Sequence, residues 1–497
     1  MTTTPIFAHT KSAANPAPDS RVLGRDHFDV VVIGAGPAGA AAALRAAELG
    51  ASVAICEADR LGGTCVNTGC VPTRVLAKTA RLMREIRTAD AYGISVTERP
   101  IDWPATVARV RETVDRVRSM KGEATRFADA GVHLILEGRA RFVDAFTLKL
   151  DTGRTISADT VVVCVGGHSR RLPVPGAELA VVPEHVLDLP RVPDRLAVIG
   201  GGNTGAQLVT VFNSFGSTVT LLDVADRVLA TSDESVSRAV AEAFVEQGVA
   251  VHLGIDGVAG LDRAADGSIT LTWREHGHDV SGSFDAVIMA TGWPADVDDL
   301  GLEAAGVVTS RSSIPVDAYF RSSVPHIFAV GDANGRDMLV QAAQSEGEAA
   351  AENAVLDANR RTAHHLLPAG GFTDPDYAGV GLSEVEARRR DELCVVAVVP
   401  FSRLDRAVID DRQRGFLKLI TDRRRELILG AHAVGENAVE VIQSVTTAMA
   451  AGIDVATLAK VRFAYPTYSA VIGIAARDLL AENADGSARR RGHTSIA

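Results

Sequence analysis

One pattern occurs twice in this chain, and it leaves few folds open. FDVVVIGAGPAGAAAALRAAELGASVAICE, Phe28 to Glu57, reads as an apolar strand, a glycine turn, an Ala-rich helix and a second strand closed by an acid. RLAVIGGGNTGAQLVTVFNSFGSTVTLLD, Arg195 to Asp223, repeats it. In each copy three glycines stand as GxGxxG between strand and helix: Gly34, Gly36 and Gly39, then Gly200, Gly202 and Gly205. Such a turn lets the backbone approach a pyrophosphate, the helix N-terminus stabilises its charge, and an acid about twenty residues on bonds a ribose 2′-hydroxyl. A lone GxGxxG is also what an Ala/Gly-rich packing turn looks like. Two complete copies, a domain's length apart, predict an α/β protein with two Rossmann-like domains and two dinucleotide sites. Asp223 favours a free 2′-hydroxyl and hence NAD(H) over NADP(H).

The rest of the composition narrows the setting. A chain of 497 residues accommodates two to four domains. A formal charge of −11 argues against non-specific nucleic-acid binding. No apolar run reaches the ~20 residues that span a bilayer, and the first twenty residues have no signal-peptide core, so no membrane association is expected. Five cysteines are too few for a disulfide framework and fit a reducing cytoplasm, where a disulfide would be catalytic. Residues 1–26, rich in Thr, Ala, Pro and Ser, read as a disordered arm, and the polar residues 483–497 as a flexible tail.

Two of the five cysteines lie in LGGTCVNTGCVPTR, Leu61 to Arg74. Cys65 and Cys70 are spaced so that the first turn of a helix brings their sulfurs together. A free thiol titrates near ~8.5, so the pair needs a positive field to react at neutral pH. The helix beginning after Gly69 supplies one through its unpaired amides and dipole. Zinc would need a second Cys or His pair at ligand spacing, which is missing, so no metal site is expected. Helical spacing continues over Val71–Arg87 and Ala105–Ala130. HLILEGRARFVD, TLKLDTG and TVVVCVGG read as strands, and a tail domain from about Leu366 mixes strands and helices. Cys164 and Cys394, in apolar runs, are packed thiols.

Taken together, GGTCVNTGC with VPTR, both fingerprints, ATG at Ala290–Gly292, VGDANG at Val330–Gly335, FTDP at Phe372–Pro375 and AYPTYSA at Ala464–Ala470 resemble the pyridine nucleotide-disulfide oxidoreductases. The resemblance runs from about Phe28 to Leu480. It implies an FAD-binding domain in two segments, 27–174 and 286–362, an inserted NAD(P)-binding domain, 175–285, and a C-terminal α+β dimerisation domain, 363–482. It further implies a homodimer whose active site is shared between subunits. On the same resemblance, Gly34, Gly36, Pro37, Ala38, Gly39, Glu57, Gly63, Thr64, Gly166, Gly331 and Asp332 hold FAD. Gly200, Gly202, Asn203, Gly205, Gln207, Asp223 and Gly292 serve the nicotinamide cofactor. Cys70 is the thiol beside the isoalloxazine and Cys65 the one that meets the substrate. Electrons pass between NAD(P)H, FAD, the thiol pair and a small molecule.

The departures from the family pattern cluster at the chemistry. Where thiol-disulfide members carry a His before Pro-Thr and a Glu five residues later, this chain has Tyr465 and Ala470. A phenol with a reference pKa near ~10 does not shuttle protons as an imidazole–carboxylate pair does. The usual Lys four residues after the second cysteine is Arg74, and its usual Glu partner is Gln207. Asn203 stands where a bulky aromatic often gates the nicotinamide pocket. Val224 and Ala230 occupy positions where NADPH users carry arginines, with Arg227 the one cation nearby. The expected activity is therefore an FAD-dependent oxidoreductase whose Cys65/Cys70 pair serves an unusual thiol or disulfide metabolite or a metal ion, and not standard lipoamide or glutathione, with Tyr465 and Arg74 as further active-site residues. The alternatives are an NAD(P)H quinone reductase or oxidase with vestigial thiols, and a mercuric-reductase-like metal reductase.

Overall fold

Buried apolar runs bordered by glycine turns favour parallel strands covered on both faces, and part of the first domain's sheet is built from them, the rest being antiparallel. A computed structural model describes residues 26–363 and 366–491. The first domain contains β1 (His27–Ile33), α1 (Pro37–Glu48), β2 (Val53–Cys56), α2 (Gly63–Asn67), α3 (Cys70–Arg87), α4 (Trp103–Lys121), α5 (Glu123–Asp129), β3 (His133–Ile135), β4 (Ala140–Phe142), β5 (Thr147–Leu150) and β6 (Thr155–Val163). Its sheet runs β3-β2-β1-β6-β5-β4.

The chain then leaves for a second sheet. Here lie β7 (Arg195–Ile199), α6 (Asn203–Ser214), β8 (Thr218–Asp223), α7 (Glu234–Glu246) and β9 (Ala250–Leu253), followed by a separate antiparallel sheet of β10 (Gly257–Arg263), β11 (Ile269–Glu275) and β12 (His278–Phe284). β13 (Ala286–Met289) closes this parallel sheet in the order β13-β7-β8-β9. Only then does β14 (Ile327–Ala329) return to pair with β6. α8 (Val340–Leu356) lays an Ala-rich face on α1, so closely that a Cβ on Gly347 would stand 2.3 Å from the Ala38 carbonyl oxygen.

The third domain is a five-stranded antiparallel sheet, β15-β16-β19-β18-β17, made of β15 (Ala369–Gly371), β16 (Tyr377–Gly381), β17 (Val395–Pro400), β18 (Gly415–Thr421) and β19 (Ile428–Gly435). Its helices are α9 (Glu384–Arg390), α10 (Asp405–Ile409), α11 (Ala438–Ala450), α12 (Val455–Leu458) and α13 (Ala470–Arg491).

Three expectations need correcting. The second segment of the first domain does not begin at 286, because the fully buried AVIM of β13 pairs in parallel with β7 along Ala286↔Leu196 to Met289↔Ile199. The helix expected over 105–130 is two helices broken at Gly122, whose φ of 55° is left-handed and caps α4. α13 continues to Arg491, into the stretch expected to be a flexible end, since Ala, Glu and Arg are strong helix formers. Apart from Asp26, the expected N-terminal arm lies outside the described residues, as do residues 492–497. Among the described residues no helix is long and apolar enough to cross a membrane.

The helix carrying Cys70 is fixed from both sides. α3 buries Pro72, Leu76, Ala77, Ala80 and Met83 along one face, at the three-to-four-residue spacing of an amphipathic helix. That face joins Trp103, Val107 and Val110 of α4 and Phe212 of α6 in one core. At its far end Arg87 donates to the Ser214 carbonyl at 2.9 Å and Arg84 to the Ser214 hydroxyl at 3.3 Å. The redox helix is thereby tied to the helix of the second fingerprint.

Candidate active site

The first glycine turn is shaped by close approach. Gly34 adopts φ 99°, and a Cβ on Gly39 would stand 1.8 Å from the Gly34 carbonyl oxygen, so neither position admits a side chain. Gly36 is the N-cap of α1, with Pro37 at its first turn and no side chain capping the amides, the state in which a helix N-terminus accepts a phosphate. Glu57 sits just beyond β2. Its carboxylate accepts from Ala35 N at 2.8 Å and Asp59 N at 2.9 Å, holding the turn. α2 abuts the same turn, since a Cβ on Gly63 would lie 2.7 Å from the Gly36 Cα; Thr64 follows Gly63 in α2.

α2 presents Cys65 and α3 begins at Cys70. Between them Gly69 N and Thr68 N both donate to the Thr64 carbonyl, at 2.7 and 3.0 Å. The Asn67 amide donates to the carbonyls of Arg60, Leu61 and Gly63, while Arg118 of α4 grips its oxygen at 2.7 Å. This frame sets the two free thiols near enough to influence each other's ionisation. That influence separates them: hydrogen bonding from Cys65 lowers Cys70 to about 7, against the cost of burial, and the same contact together with burial raises Cys65. Lys121, at the end of α4, stabilises the negative charge at both sulfurs. Cys70, the first residue of α3, is thus the more readily ionised thiol of the two. Cys56, Cys164 and Cys394 are buried free thiols, Cys56 pushed up to about 12 by burial.

Asp332 lies beyond Gly331, whose φ is 63° and whose Cβ would press on Ala38 and Ala343 at 3.3 Å. Burial raises the Asp332 carboxyl, and the Trp293 indole donates to it at 2.8 Å. Glu346 of α8, fully buried, accepts from Gly331 N and the Asn334 amide at 2.8 Å each. Gly166, φ 72°, faces open space on one side of this region, whereas Gly167 packs against the Trp293 ring. Near the two chain crossings a cleft of about 700 Å³ is lined by Arg170, Trp293, Asn334, Arg336 and Met338; Gly292 abuts Arg170. Sequence reasoning missed Trp293 and Glu346. An indole beside ATG and one acid in an Ala-rich helix carry no pattern of their own.

The second fingerprint repeats the first. Gly200 takes φ 103°, and a Cβ on Gly205 would meet the Gly200 carbonyl oxygen at 1.8 Å. Gly202, the N-cap of α6, faces open space. Asp223 ends β8 and accepts from Gly201 N at 2.5 Å and Ala225 N at 2.9 Å. Arg227 turns away, onto the Ala230 carbonyl at 2.6 Å and Glu234 at 3.7 Å.

Arg74 and Gln207 do not pair. The Arg74 guanidinium lies 3.2 Å from the centroid of the Phe372 ring, and the Gln207 amide bonds the Asn203 carbonyl at 2.9 Å and receives Phe372 N at 3.4 Å. Asn203 accepts from the Tyr377 hydroxyl at 2.8 Å. Arg84 pairs with Asp374 at 2.9 Å, and the Gln247 amide donates to the Asp374 carbonyl at 2.7 Å. The segment Phe372–Tyr377 of the third domain therefore clasps the redox helix and the second fingerprint at once. Asp376, in the same segment, is pushed up to about 6 by burial despite Arg74, Arg81 and Arg84 nearby. Tyr465 lies apart from all of this within one chain, 78% exposed on the third domain.

The uncapped helix N-termini behind Gly36 and Gly202 leave backbone amides open to a phosphate at each turn. Comparison with known proteins agrees. Residues 28–347 match the pyridine nucleotide-disulphide oxidoreductase family model, and residues 367–476 match the dimerisation domain of that family, which supports a homodimer. The dihydrolipoyl dehydrogenase of Chlamydia muridarum is 30% identical over 451 residues, 89% of this chain and 95% of its own. The glutathione reductase of Nostoc sp. is 31% identical over 439 residues, 86% and 94% of the two chains. The copper(II) complex of the HOCl-induced flavoprotein disulfide reductase RclA from Escherichia coli superimposes with a TM-score of 0.80 at 25% identity, covering 91% of this chain and all of that one. With two thiols set between two dinucleotide turns, and with family models and relatives matching along nearly its whole length, the chain belongs to the pyridine nucleotide-disulphide oxidoreductase family, FAD-dependent enzymes that work with NAD(P)H and act on sulfur groups.

Proposed function

We propose that this enzyme moves an electron pair between NADH and a small acceptor through FAD and the Cys65/Cys70 pair, and that the acceptor is neither lipoamide nor glutathione disulfide. The observation that carries this reading is the thiol pair itself, Cys65 on α2 and Cys70 at the start of α3, the helix packed against α4 and α6. FAD, when bound, would supply the two-electron chemistry that links a nicotinamide to the thiol pair. The residues of the first turn, with Glu57, Gly63, Thr64, Gly166 and Asp332, would hold it.

The acceptor is the unusual part. Tyr465 and Ala470 stand where an imidazole and a carboxylate would take the substrate's protons, which supports a substrate whose reduction leans little on a strong base. An uncommon disulfide metabolite and a thiophilic metal ion both meet that description. The likeness to a reductase solved with copper(II) supports the metal ion. The same chemistry runs in reverse if the partner is a dithiol. Asp223, with Arg227 committed elsewhere, supports NADH over NADPH. Five cysteines in 497 residues, too few for a disulfide framework, support a reducing, cytoplasmic setting. The dimerisation domain supports an active site shared across a homodimer.

Anaerobic mixing with NADH tests the reading. It should expose two newly alkylatable thiols and a long-wavelength thiolate–flavin absorbance, the absorbance being lost in Cys70→Ser. An unchanged spectrum in that variant, or quinone reduction undiminished in the Cys65→Ser/Cys70→Ser double variant, would refute it in favour of a flavin that passes electrons directly.

A further inference from the structure

Although Tyr465 is the most exposed large side chain of its loop, its phenol is not free. The hydroxyl donates a 2.7 Å hydrogen bond to Asp405 Oδ2, at the first residue of α10. Three residues on, Tyr468 is buried, donates to Asp410 Oδ2 at 3.3 Å and packs on the Phe401 ring at 5.6 Å. Arg406 neutralises Asp410 at 2.7 Å. The five-residue helix is thus flanked by two carboxylates that each receive a phenol from the loop, and the loop's course over α10 is set by both bonds. Among the described residues Asp405 has no Lys or Arg at ion-pair distance, and the Tyr465 hydroxyl donates to its carboxylate. Position 470, where the family places its carboxylate, is Ala and offers nothing.

We propose that Asp405 is the positioning residue of the acceptor half-reaction, orienting and polarising Tyr465 so that phenol and carboxylate act as one proton-accepting unit supplied from α10. This rests on the function proposed above, in which the 464–470 loop of one subunit meets the thiol pair of the other. The step balances as follows. The Cys65 thiol gives its proton to the phenolic oxygen while the phenolic proton passes to the Asp405 carboxylate; the products are a Cys65 thiolate, an unchanged phenol and a carboxylic acid. The thiolate attacks one sulfur of a disulfide acceptor, the acceptor's S–S bond breaks, a mixed disulfide forms and one thiolate leaves. Cys70 then attacks the Cys65 sulfur, closing the Cys65–Cys70 disulfide and releasing the second thiolate, so that two electrons pass from the dithiol to the acceptor. Because the proton ends on a carboxyl and not on an imidazole, the unit is a weaker base than the His/Glu pair, in keeping with the departure from standard substrates.

The test uses FAD-loaded full-length enzyme reduced anaerobically with NADH and then mixed with the aromatic disulfide 5,5′-dithiobis(2-nitrobenzoate), following the released thiol in a single turnover. Asp405→Asn and Tyr465→Phe should each slow release about tenfold, well below the full effect of a strong general base. The double variant should match the slower single variant to within about twofold, because both remove one unit. Asp405→Glu should recover most of the rate, and a solvent deuterium effect present in the wild type should vanish in both single variants. Reduction of the flavin by NADH should be unchanged in all of them. Release at the wild-type rate in Asp405→Asn, or losses that multiply in the double variant, would overturn the proposal. Failure of the wild type to gain two thiols with NADH, seen before any acceptor is added, would sink the parent reading and this one with it.

Discussion

Replacing Cys65 by Ala tests the electrostatic design of the thiol pair most directly. The largest influence lowering Cys70 is the hydrogen bond from Cys65, ahead of its own helix amide and Lys121, while burial acts in the opposite direction. At about 7, roughly half of Cys70 is thiolate at neutral pH, whereas at the ordinary thiol value of 9.0 about one molecule in a hundred is. Complete loss of the donor would thus cut the thiolate fraction about fiftyfold. Cys70 is exposed, so solvent screening softens the change, and at least about a fivefold loss is expected at pH 7. Alkylation of Cys70 by iodoacetamide, followed by peptide mass spectrometry from pH 5 to 9 on reduced enzyme, reads the thiolate directly. The midpoint should rise from about 7 towards 9 in Cys65→Ala and less far in Cys65→Ser, whose hydroxyl still donates. A midpoint in Cys65→Ala indistinguishable from that of the wild type would refute the reasoning and transfer the effect to the helix N-terminus and Lys121.

Other residues yield further expectations. Asp233, N-cap of α7, is raised by burial but more strongly lowered by Lys418 at 2.8 Å and the Glu384 amide at 3.0 Å, to about 2. Because its folded value lies below the ordinary 3.8, it adds about 2 kcal/mol that is present above pH ~4 and lost as pH falls through about 2, and urea unfolding of Asp233→Asn should lack that acid limb. Lys418→Met strands a carboxylate between the second and third domains and should cost about 3–5 kcal/mol in the same assay. Gly39→Ala drives a methyl into the Gly34 carbonyl, and the purified protein should lose bound FAD or fail to fold, as read from the flavin-to-protein absorbance ratio. Asp223→Ala should raise the KM for NADH about tenfold with a smaller effect on NADPH, measured by steady-state kinetics. Arg74→Ala removes the stacking on Phe372 and should lower stability by about 1–2 kcal/mol in urea.

The sequence by itself determined the parts whose physics is local. GxGxxG turns, the acid closing each second strand and the thiols on either side of Gly69 are constrained by contacts within some twenty-five residues, so their spacing could be read, and the glycines and strand-end acids take the tight local geometry that the spacing implied. Tertiary structure alone decided what depends on distant partners. Nothing near Ala286 announces that AVIM will pair with β7 and not return with β14 to the first sheet, because four buried apolar residues suit either neighbour. Arg74 meets Phe372 and not Gln207, Asp332 meets Trp293, and Tyr465 finds Asp405 sixty residues away in sequence. A side chain's charge and shape are written in the chain, but its partner is fixed only when segments far apart are folded against each other, and at this active site the partners carry the chemistry.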